Sequence, residues 1–154
     1  MATRIKPTTK DLYEGDFYVW TERQAELLRA RRFDELDLEN LIEEVAELGE
    51  AVKKSVRSRV RTIIEHLLKL QHSPASDPRP GWRDTVRTQR DDLSDDLTPA
   101  LRRLLEQELG GLYIQARSRA AGSLRDHGEE AAADALPETC PYALDQITGD
   151  WLPQ

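Results

Sequence analysis

DLENLIEEVAELGEAVKKSVRSRVRTIIEHLLKLQH, residues 37–72, is the stretch that decides the fold, because it lacks proline and its apolar residues recur every three or four positions. That spacing places the apolar residues on one face of an α-helix. The stretch therefore predicts one long amphipathic helix from Asp37 to His72. The apolar positions are Leu38, Leu41, Ile42, Val45, Leu48, Val52, Val56, Val60, Ile63, Ile64, Leu67 and Leu70.

The charge of this predicted helix changes sign halfway along. Acidic residues fill its first half and basic residues its second, which suits the helix dipole at both ends. A helix with one apolar face is stable when that face packs against other helices. The sequence therefore predicts an all-α fold: a single-domain antiparallel helical bundle organised on the helix at residues 37–72.

Composition limits the class of protein. The chain has 154 residues and a net charge of −7, which suffices for one domain with its own core. The acidic charge opposes binding to nucleic acid and to anionic membranes, so we expect neither as a partner. One cysteine cannot form an internal disulfide, and no signal peptide or membrane span is recognisable, so we expect a cytoplasmic protein.

Local signals divide the rest of the chain. Residues 1–10 are polar and lack periodicity, which predicts a flexible N-terminal arm before one helical domain at residues 11–154. Asp16 or Thr21 is placed to cap a first helix. The segment HSPASDPRPG, residues 72–81, is rich in proline and should end the long helix in an exposed loop.

Two further helices should follow this loop. The first is expected at about residues 81–97. Thr98 and Pro99 are suited to the N-cap and first position of the second, in which Gly110-Gly111 could introduce a kink. Residues 122–137 lack an apolar stripe, so we expect a weak helix or a loop there.

The C-terminal tail, CPYALDQITGDWLP at residues 140–153, predicts a short helix that begins at Pro141. Trp151 and Leu152 should then pack back onto the body. Cys140 would precede the N-terminus of that helix, where the dipole favours a thiolate.

A set of short strings lies in order along nearly the whole chain. The strings are Tyr13, Asp16-Phe17-Tyr18, Trp20-Thr21, Gln24-Ala25, Leu27-Leu28-Arg29, Arg32-Phe33-Asp34, Leu36-Asp37, Glu39-Asn40-Leu41-Ile42-Glu43-Glu44, Leu48-Gly49, Ser58-Arg59, His66-Leu67-Leu68-Lys69, Trp82, Gln89-Arg90 and Cys140-Pro141-Tyr142. Together they resemble a bacterial family known as domain of unknown function twenty-nine. The resemblance implies a compact, all-helical bacterial protein, and it implies no activity, substrate or catalytic residue.

Glu43, Glu44 and Glu47 form an acidic cluster near the start of the long helix. The cluster also resembles half of the metal-binding signature of all-helical nucleoside triphosphate pyrophosphohydrolases, in which carboxylates from two helices hold Mg²⁺ against a triphosphate. The second half of that signature, a Glu-x-x-Asp pair, is absent from the sequence, and Asp92 and Asp95 are its nearest substitute. The alternative is an acidic face that only meets solvent.

Three polar residues fall within or beside apolar stripes. His66 is expected as a hydrogen-bonded histidine at the edge of the core, or as part of a site with another helix. Gln89 could bridge two helices through its amide. Glu108 falls among leucines and should form an ion pair, with Arg119 or Arg59, or else act as a metal ligand or general base.

A basic stripe on the helix after the proline-rich loop could bind a phosphate or an acidic partner, or could simply face solvent. It comprises Arg79, Arg83, Arg87 and Arg90, next to Trp82.

These features favour a non-catalytic interaction or structural module that binds an unidentified protein partner or itself. The alternative is a Mg²⁺-dependent nucleotide phosphohydrolase built on Glu43, Glu44 and Glu47, and only that alternative requires a cofactor, Mg²⁺. A second helix that presents carboxylates to the acidic cluster would distinguish the two.

Overall fold

The computed structural model describes residues 9–154, with side chains from Asp11 onward. Over these residues the chain forms seven α-helices, one 3₁₀ turn at Phe33–Glu35 and no β-strand, so the predicted all-α fold is confirmed. The helices are α1 (Thr9–Gly15), α2 (Phe17–Arg29), α3 (Leu38–His72), α4 (Arg79–Asp96), α5 (Pro99–Asp126), α6 (Glu130–Asp134) and α7 (Leu144–Thr148).

The chain divides into two compact units, Met1–Ala51 and Val52–Gln154, and the boundary falls within α3. The single domain expected over residues 11–154 stays a prediction. The arm expected at residues 1–10 lies outside the described residues, except for the last two positions, which begin α1.

Sequence-local signals set both ends of α2 in the first unit. Asp16 caps its N-terminus, because the carboxylate accepts a hydrogen bond from the backbone N–H three residues on at 3.1 Å. At the other end Arg31 adopts a φ of 56°, in the left-handed region that glycine usually occupies. The N–H of Arg32 then turns back to the carbonyl of Leu27 at 2.9 Å, which ends the helix. Asp16, and not Thr21, is therefore the cap.

In the second unit, α4 runs antiparallel to α3. Arg59 of α3 lies 3.4 Å from Asp96 at the end of α4. Ten residues later, Lys69 lies over the ring of Trp82 at the start of α4. Because the later residue of α3 contacts the earlier residue of α4, the two helices run in opposite directions.

α5 returns in the direction of α3. Arg57 contacts Glu108, and Arg61, one turn further along α3, donates to Gln115 of α5 at 2.6 Å. Consecutive long helices of the second unit therefore run antiparallel, in an up, down, up order. α3 packs against both α4 and α5, as the amphipathic stripe predicts.

The second half of the α3 stripe forms the centre of this unit's core. Val56 and Ile63 are fully buried, as the periodicity predicts. From α4 and α5, Val86, Leu93, Leu105 and Tyr113 pack in the same cluster, and Leu136 and Ile147 join it from the C-terminal segment.

Thr98 caps α5 as expected, and Pro99 is its first residue. The helix continues through Gly110-Gly111, so these glycines do not split it. It ends at Asp126, well inside the segment expected to be weakly helical, and α6 follows. α7 begins three residues after Pro141, at Leu144, so the predicted start was wrong.

Cys140 accordingly does not lie directly before the start of a helix, and burial raises the pKa of its thiol. α3 is the longest helix, but its charged residues make it unsuitable for a bilayer. None of the described helices is both long enough and apolar enough to cross a membrane.

Candidate functional site

Three aromatic rings lie together in the first unit. Tyr13 meets both Phe17 and Trp20 edge to face, at 5.8 and 5.0 Å between ring centres, and Phe17 stacks on Trp20 at 5.6 Å. Trp20 is buried and forms the base of this cluster, whereas about half of Phe17 is exposed. The cluster fixes α1 and α2 against each other through large rigid side chains.

Asp37 joins this aromatic cluster to the start of α3. Its carboxylate accepts hydrogen bonds from the indole N–H of Trp20 at 3.1 Å and from the amide of Asn40 at 2.8 Å. Its backbone N–H donates to Oε1 of Gln24 at 2.9 Å. The buried Nε2 of Gln24 has no hydrogen-bond partner among the described residues. α2 and the beginning of α3 are therefore held by a polar network that leaves one buried donor unused.

A second polar contact fixes the acidic cluster. The hydroxyl of Tyr13 donates to Oε1 of Glu44 at 2.7 Å. This bond, together with the negative charges of Glu44, Glu43 and Glu47, raises the pKa of Tyr13 to about 12. The Glu44 carboxylate is thus engaged by a neutral phenol that stays protonated at physiological pH.

α2 and α3 border a groove of about 380 Å³, called here the α2–α3 groove. Its polar lining is limited to Thr21, Gln24 and Glu44. The apolar lining comprises Phe17, Trp20, Ala25 and Leu28 from α2, and Leu41, Val45 and Leu48 from α3. On each helix these residues recur every three or four positions, so two amphipathic faces meet at the groove.

The apolar rim of this groove is open to solvent. Val45 is 62% exposed and Leu48 69%, while Phe17 and Leu28 retain 48% and 43%. The second half of the α3 stripe is buried, whereas in the first half only Leu41 is partly buried and the other apolar residues are exposed. Nine of the thirteen exposed large hydrophobic residues in the described chain lie between residues 17 and 48. Scattered exposed apolar residues are ordinary, whereas these are concentrated in one part of the chain.

Glu43 and Glu47 are exposed on the same helix as this apolar stripe. Within the part of the chain that the structure describes, no three His, Cys, Asp or Glu side chains are grouped so that they could hold a metal ion. The Mg²⁺ site predicted on Glu43, Glu44 and Glu47 stays a prediction. Its proposed carboxylate Glu44 already accepts the hydroxyl of Tyr13.

His66 lies at the edge of the second unit's core. Its Nδ1 is 2.9 Å from the carbonyl oxygen of Thr62, one turn back on α3. A carbonyl can only accept, so Nδ1 carries the proton and Nε2 the lone pair. Burial lowers the pKa of His66, which favours this neutral form at physiological pH. A functional role for His66 stays a prediction.

Glu108 forms a two-pronged ion pair with Arg57 of α3. Each carboxylate oxygen accepts one guanidinium N–H, at 2.7 Å in both cases. The predicted partners, Arg119 and Arg59, were wrong, because the register of α5 on α3 brings Arg57 opposite Glu108. Hydrogen bonding to Arg57 lowers the pKa of Glu108, although burial opposes that shift. A third of the Glu108 side chain is exposed, so the pair lies at the edge of the core.

Two arginines of α4 that the sequence assigns to the same basic stripe, Arg87 and Arg90, have different surroundings in the structure. Arg87 is exposed, as expected of a basic stripe, and pairs with Asp84. Arg90 is buried, which contradicts its assignment to that stripe. Its guanidinium donates to the carbonyls of Gln146 and Trp151 at 2.7 Å each, and of Ile147 at 2.9 Å. Arg90 therefore binds the C-terminal segment.

Gln89, next to Arg90, is half buried on α4, and its proposed bridging role stays a prediction. Trp151 and Leu152 remain more than a third exposed. The ring of Trp151 lies 5.6 Å from that of Tyr142, and Leu152 lines a small cavity with Val86 and Arg90 of α4.

The sequence did not predict a polar cleft in the second unit, which has a volume of about 740 Å³. Lys69 lines it and is nearly buried. The ammonium lies 3.2 Å from Glu65 and 5.3 Å from the ring centre of Trp82. Glu129 also lines it, with one buried carboxylate oxygen that has no hydrogen-bond partner among the described residues. Lys69 lies outside the predicted apolar stripe of α3, so no signal in the sequence indicates its burial.

Fold and surface together define an all-helical protein whose most distinctive feature is an open apolar groove beside an acidic cluster. A family model described as Domain of unknown function DUF29 matches residues 12–152. Since this match spans nearly the whole chain, the protein belongs to that family, as the resemblance predicted. No curated protein and no solved structure matches the chain.

Proposed function

We propose that this chain is a cytosolic bacterial protein-interaction module without catalysis, and that the α2–α3 groove is its docking surface. The observation that carries the proposal is the concentration of exposed apolar residues on one small unit. Val45, Leu48, Phe17 and Leu28 all line one groove, and each keeps more than two fifths of its surface in contact with solvent. A partner that covers these side chains removes apolar surface from water.

The hydrogen bonds behind the groove support the same function. Trp20 and Gln24 are buried beneath the surface and are tied to Asp37 at the start of α3. The helices that carry the exposed side chains are therefore positioned before a partner arrives. Preorganisation of this kind lowers the entropy that is lost on binding.

Site-specific photocrosslinking tests the proposal. A photoreactive amino acid replaces Leu48 in one version of the protein and Ile114 in another. Ile114 is 66% exposed and lies on α5, outside the groove. We expect the Leu48 position to crosslink to one protein of discrete mass in the native cell, and the Ile114 position not to. The purified partner should then bind wild-type protein and the Ile114→Asn variant equally, and bind Leu48→Asn about tenfold more weakly.

Equal crosslinking at both positions, or none at Leu48, would contradict a docking role for the groove. Leu48 is mostly exposed, so its replacement by asparagine leaves the fold intact. Unchanged thermal melting of Leu48→Asn and Ile114→Asn serves as the control.

The phosphohydrolase remains the alternative, and it requires Mg²⁺ on Glu43, Glu44 and Glu47. Calorimetric titration with Mg²⁺ and Mn²⁺ addresses it directly. We expect weak binding that salt abolishes, as for carboxylates on an open surface, and no pyrophosphate from nucleoside triphosphates. Tight binding that is lost in Glu47→Gln, together with pyrophosphate release, would establish the enzyme instead.

A further inference from the structure

We propose that the partner of the α2–α3 groove is a basic amphipathic helix of another protein. This inference rests on the proposed function and adds the chemistry of the partner to it. Two properties of the groove carry it: the helical geometry of its lining and the distribution of charge between the two units.

The lining of the groove fits a helix. α2 contributes positions 17, 21, 24, 25 and 28, and α3 contributes positions 41, 44, 45 and 48. Two helices that present such faces leave between them the space that a third helix fills in a bundle, with helix axes about 8–10 Å apart. An amphipathic helix with apolar residues every three or four positions matches this lining, which is the common helix-in-groove mode of recognition.

The charge of the chain is concentrated around the groove. The first unit, residues 1–51, contains thirteen Asp and Glu against seven Lys and Arg, a net charge of −6. Residues 52–154 contain sixteen acidic against fifteen basic residues, a net charge of −1. The unit that exposes the apolar surface is therefore also the one that attracts cations.

Glu43 and Glu47 illustrate this arrangement beside the groove. They are exposed one turn apart on α3, next to the lining residues Glu44 and Leu48. A lysine or arginine on the polar edge of a docked helix can extend its aliphatic stem over the apolar rim and place its charge near these carboxylates. Such contacts orient the partner as well as attract it.

The same charges disfavour other occupants. A second copy of the chain would bring one unit of charge −6 against another, and like charges at an interface oppose association. Nucleic acid and anionic membranes are repelled for the same reason. A basic helix is the class of partner that both the apolar lining and the acidic surroundings favour.

Fluorescence anisotropy with synthetic peptides tests the inference on the full chain. The probe is a labelled helix of about 18 residues with a leucine stripe and a lysine polar face. Two matched peptides serve as comparisons. One has the same leucine stripe with glutamate in place of lysine, and the other has the lysine composition with the stripe scrambled. We expect the first peptide to bind about tenfold more tightly than either comparison.

Variants separate the two contributions. Leu48→Asn should weaken binding of the probe about tenfold, and Ile114→Asn should not. Glu43→Gln combined with Glu47→Gln should weaken it about fivefold and reduce its dependence on salt. Asp91→Asn combined with Asp95→Asn is the matched control, because these two carboxylates are also exposed and one turn apart, on α4.

The outcomes distinguish failure of the inference from failure of the proposed function. If the glutamate peptide binds as tightly as the lysine peptide, and Leu48→Asn weakens both, the groove is a docking surface but its partner is not basic. If the scrambled peptide binds equally, charge alone causes the binding, and the helical partner is wrong. If Leu48→Asn changes nothing, the docking function itself is wrong. A dimer in sedimentation velocity that Leu48→Asn dissociates would assign the groove to a second copy and overturn the inference.

Discussion

Arg90→Met should destabilise the protein, although the sequence alone places Arg90 on a solvent-exposed stripe. The guanidinium makes three hydrogen bonds of 2.7–2.9 Å to backbone carbonyls in the C-terminal segment. Two of these carbonyls, of Gln146 and Ile147, belong to the last turn of α7 and have no later helical residue to bind. Methionine preserves the aliphatic stem of the side chain and removes every donor.

The size of the effect follows from these contacts. A hydrogen bond to a charged group contributes about 1.5–3 kcal/mol when it is shielded from water. Water can reach part of this site once the guanidinium is gone, because Trp151 is 38% exposed. Burial also lowers the pKa of Arg90, because removing the charged guanidinium from water is unfavourable, and this cost offsets part of what the hydrogen bonds contribute. We therefore expect a net loss of about 3 kcal/mol in the free energy of unfolding, well below the sum of three full bonds.

Urea unfolding of three variants measures this. Arg90→Lys should lose about half as much as Arg90→Met, because an ammonium cannot reach all three carbonyls with the same geometry. Arg87→Met, on the exposed side of α4, should change the unfolding free energy by less than about 0.5 kcal/mol. Hydrogen exchange at residues 144–152 should accelerate only in the Arg90 variants. A loss of less than about 0.5 kcal/mol for Arg90→Met would show that the C-terminal segment does not depend on these bonds.

Three further predictions concern stability and titration. A double-mutant cycle on Glu108→Ala and Arg57→Ala should give a coupling of about 1 kcal/mol at neutral pH, as expected for a partly exposed pair. Since pairing lowers the pKa of Glu108, this stabilisation should be lost as the pH falls through the folded-state pKa, and a coupling that persists in acid would refute it. In ¹³C NMR, Tyr13 should titrate at about 12 in the wild-type protein and shift toward 10.0 in Glu44→Gln; an unchanged midpoint would contradict the hydrogen bond as the cause. Ile63→Asp places a charge in the fully buried core and should lower the unfolding free energy by more than about 4 kcal/mol, so near-normal melting would refute the assigned core.

Helices and their ends could be predicted because their signals are local. The period of apolar residues gave α3 to within one residue at its start, and Asp16 and Thr98 cap the helices that follow them. An N-cap depends on one side chain and a backbone N–H two or three residues away, so a short stretch of sequence contains the necessary information. The left-handed residue that ends α2 is an arginine, which carries no such signal.

Contacts between distant residues could not be predicted in the same way. Arg87 and Arg90 lie on the same helix in similar sequence, but only Arg90 meets carbonyls that lie more than fifty residues away. Glu108 was correctly suspected of needing a cation, but the choice among three arginines depends on how α5 is shifted along α3. A helical wheel gives the direction of a side chain and contains no information on that shift.

The α2–α3 groove could not be predicted from the sequence for the same reason, and it is the surface on which the proposed function depends. Periodicity predicts which face of α3 is apolar, and it does so equally well on both sides of residue 52. Whether that face is covered depends on which other helices pack against it, and periodicity contains no information on this. In the second unit other helices of the chain cover it, and in the first unit Val45 and Leu48 face solvent.

The amount of apolar surface left open also bounds the strength of the proposed interaction. Phe17, Leu28, Val45 and Leu48 are each about half exposed, so covering them completely gains about 1 kcal/mol per side chain, or about 4 kcal/mol together. Association costs at least about 4 kcal/mol in lost rotational and translational freedom, so these four side chains alone would not hold a partner. The attraction between a basic helix and a unit of charge −6 must supply a large share of any stable binding. For this reason we expect affinities in the micromolar range or weaker, which fall steeply with salt. Nanomolar binding that is insensitive to salt would require contacts beyond this groove.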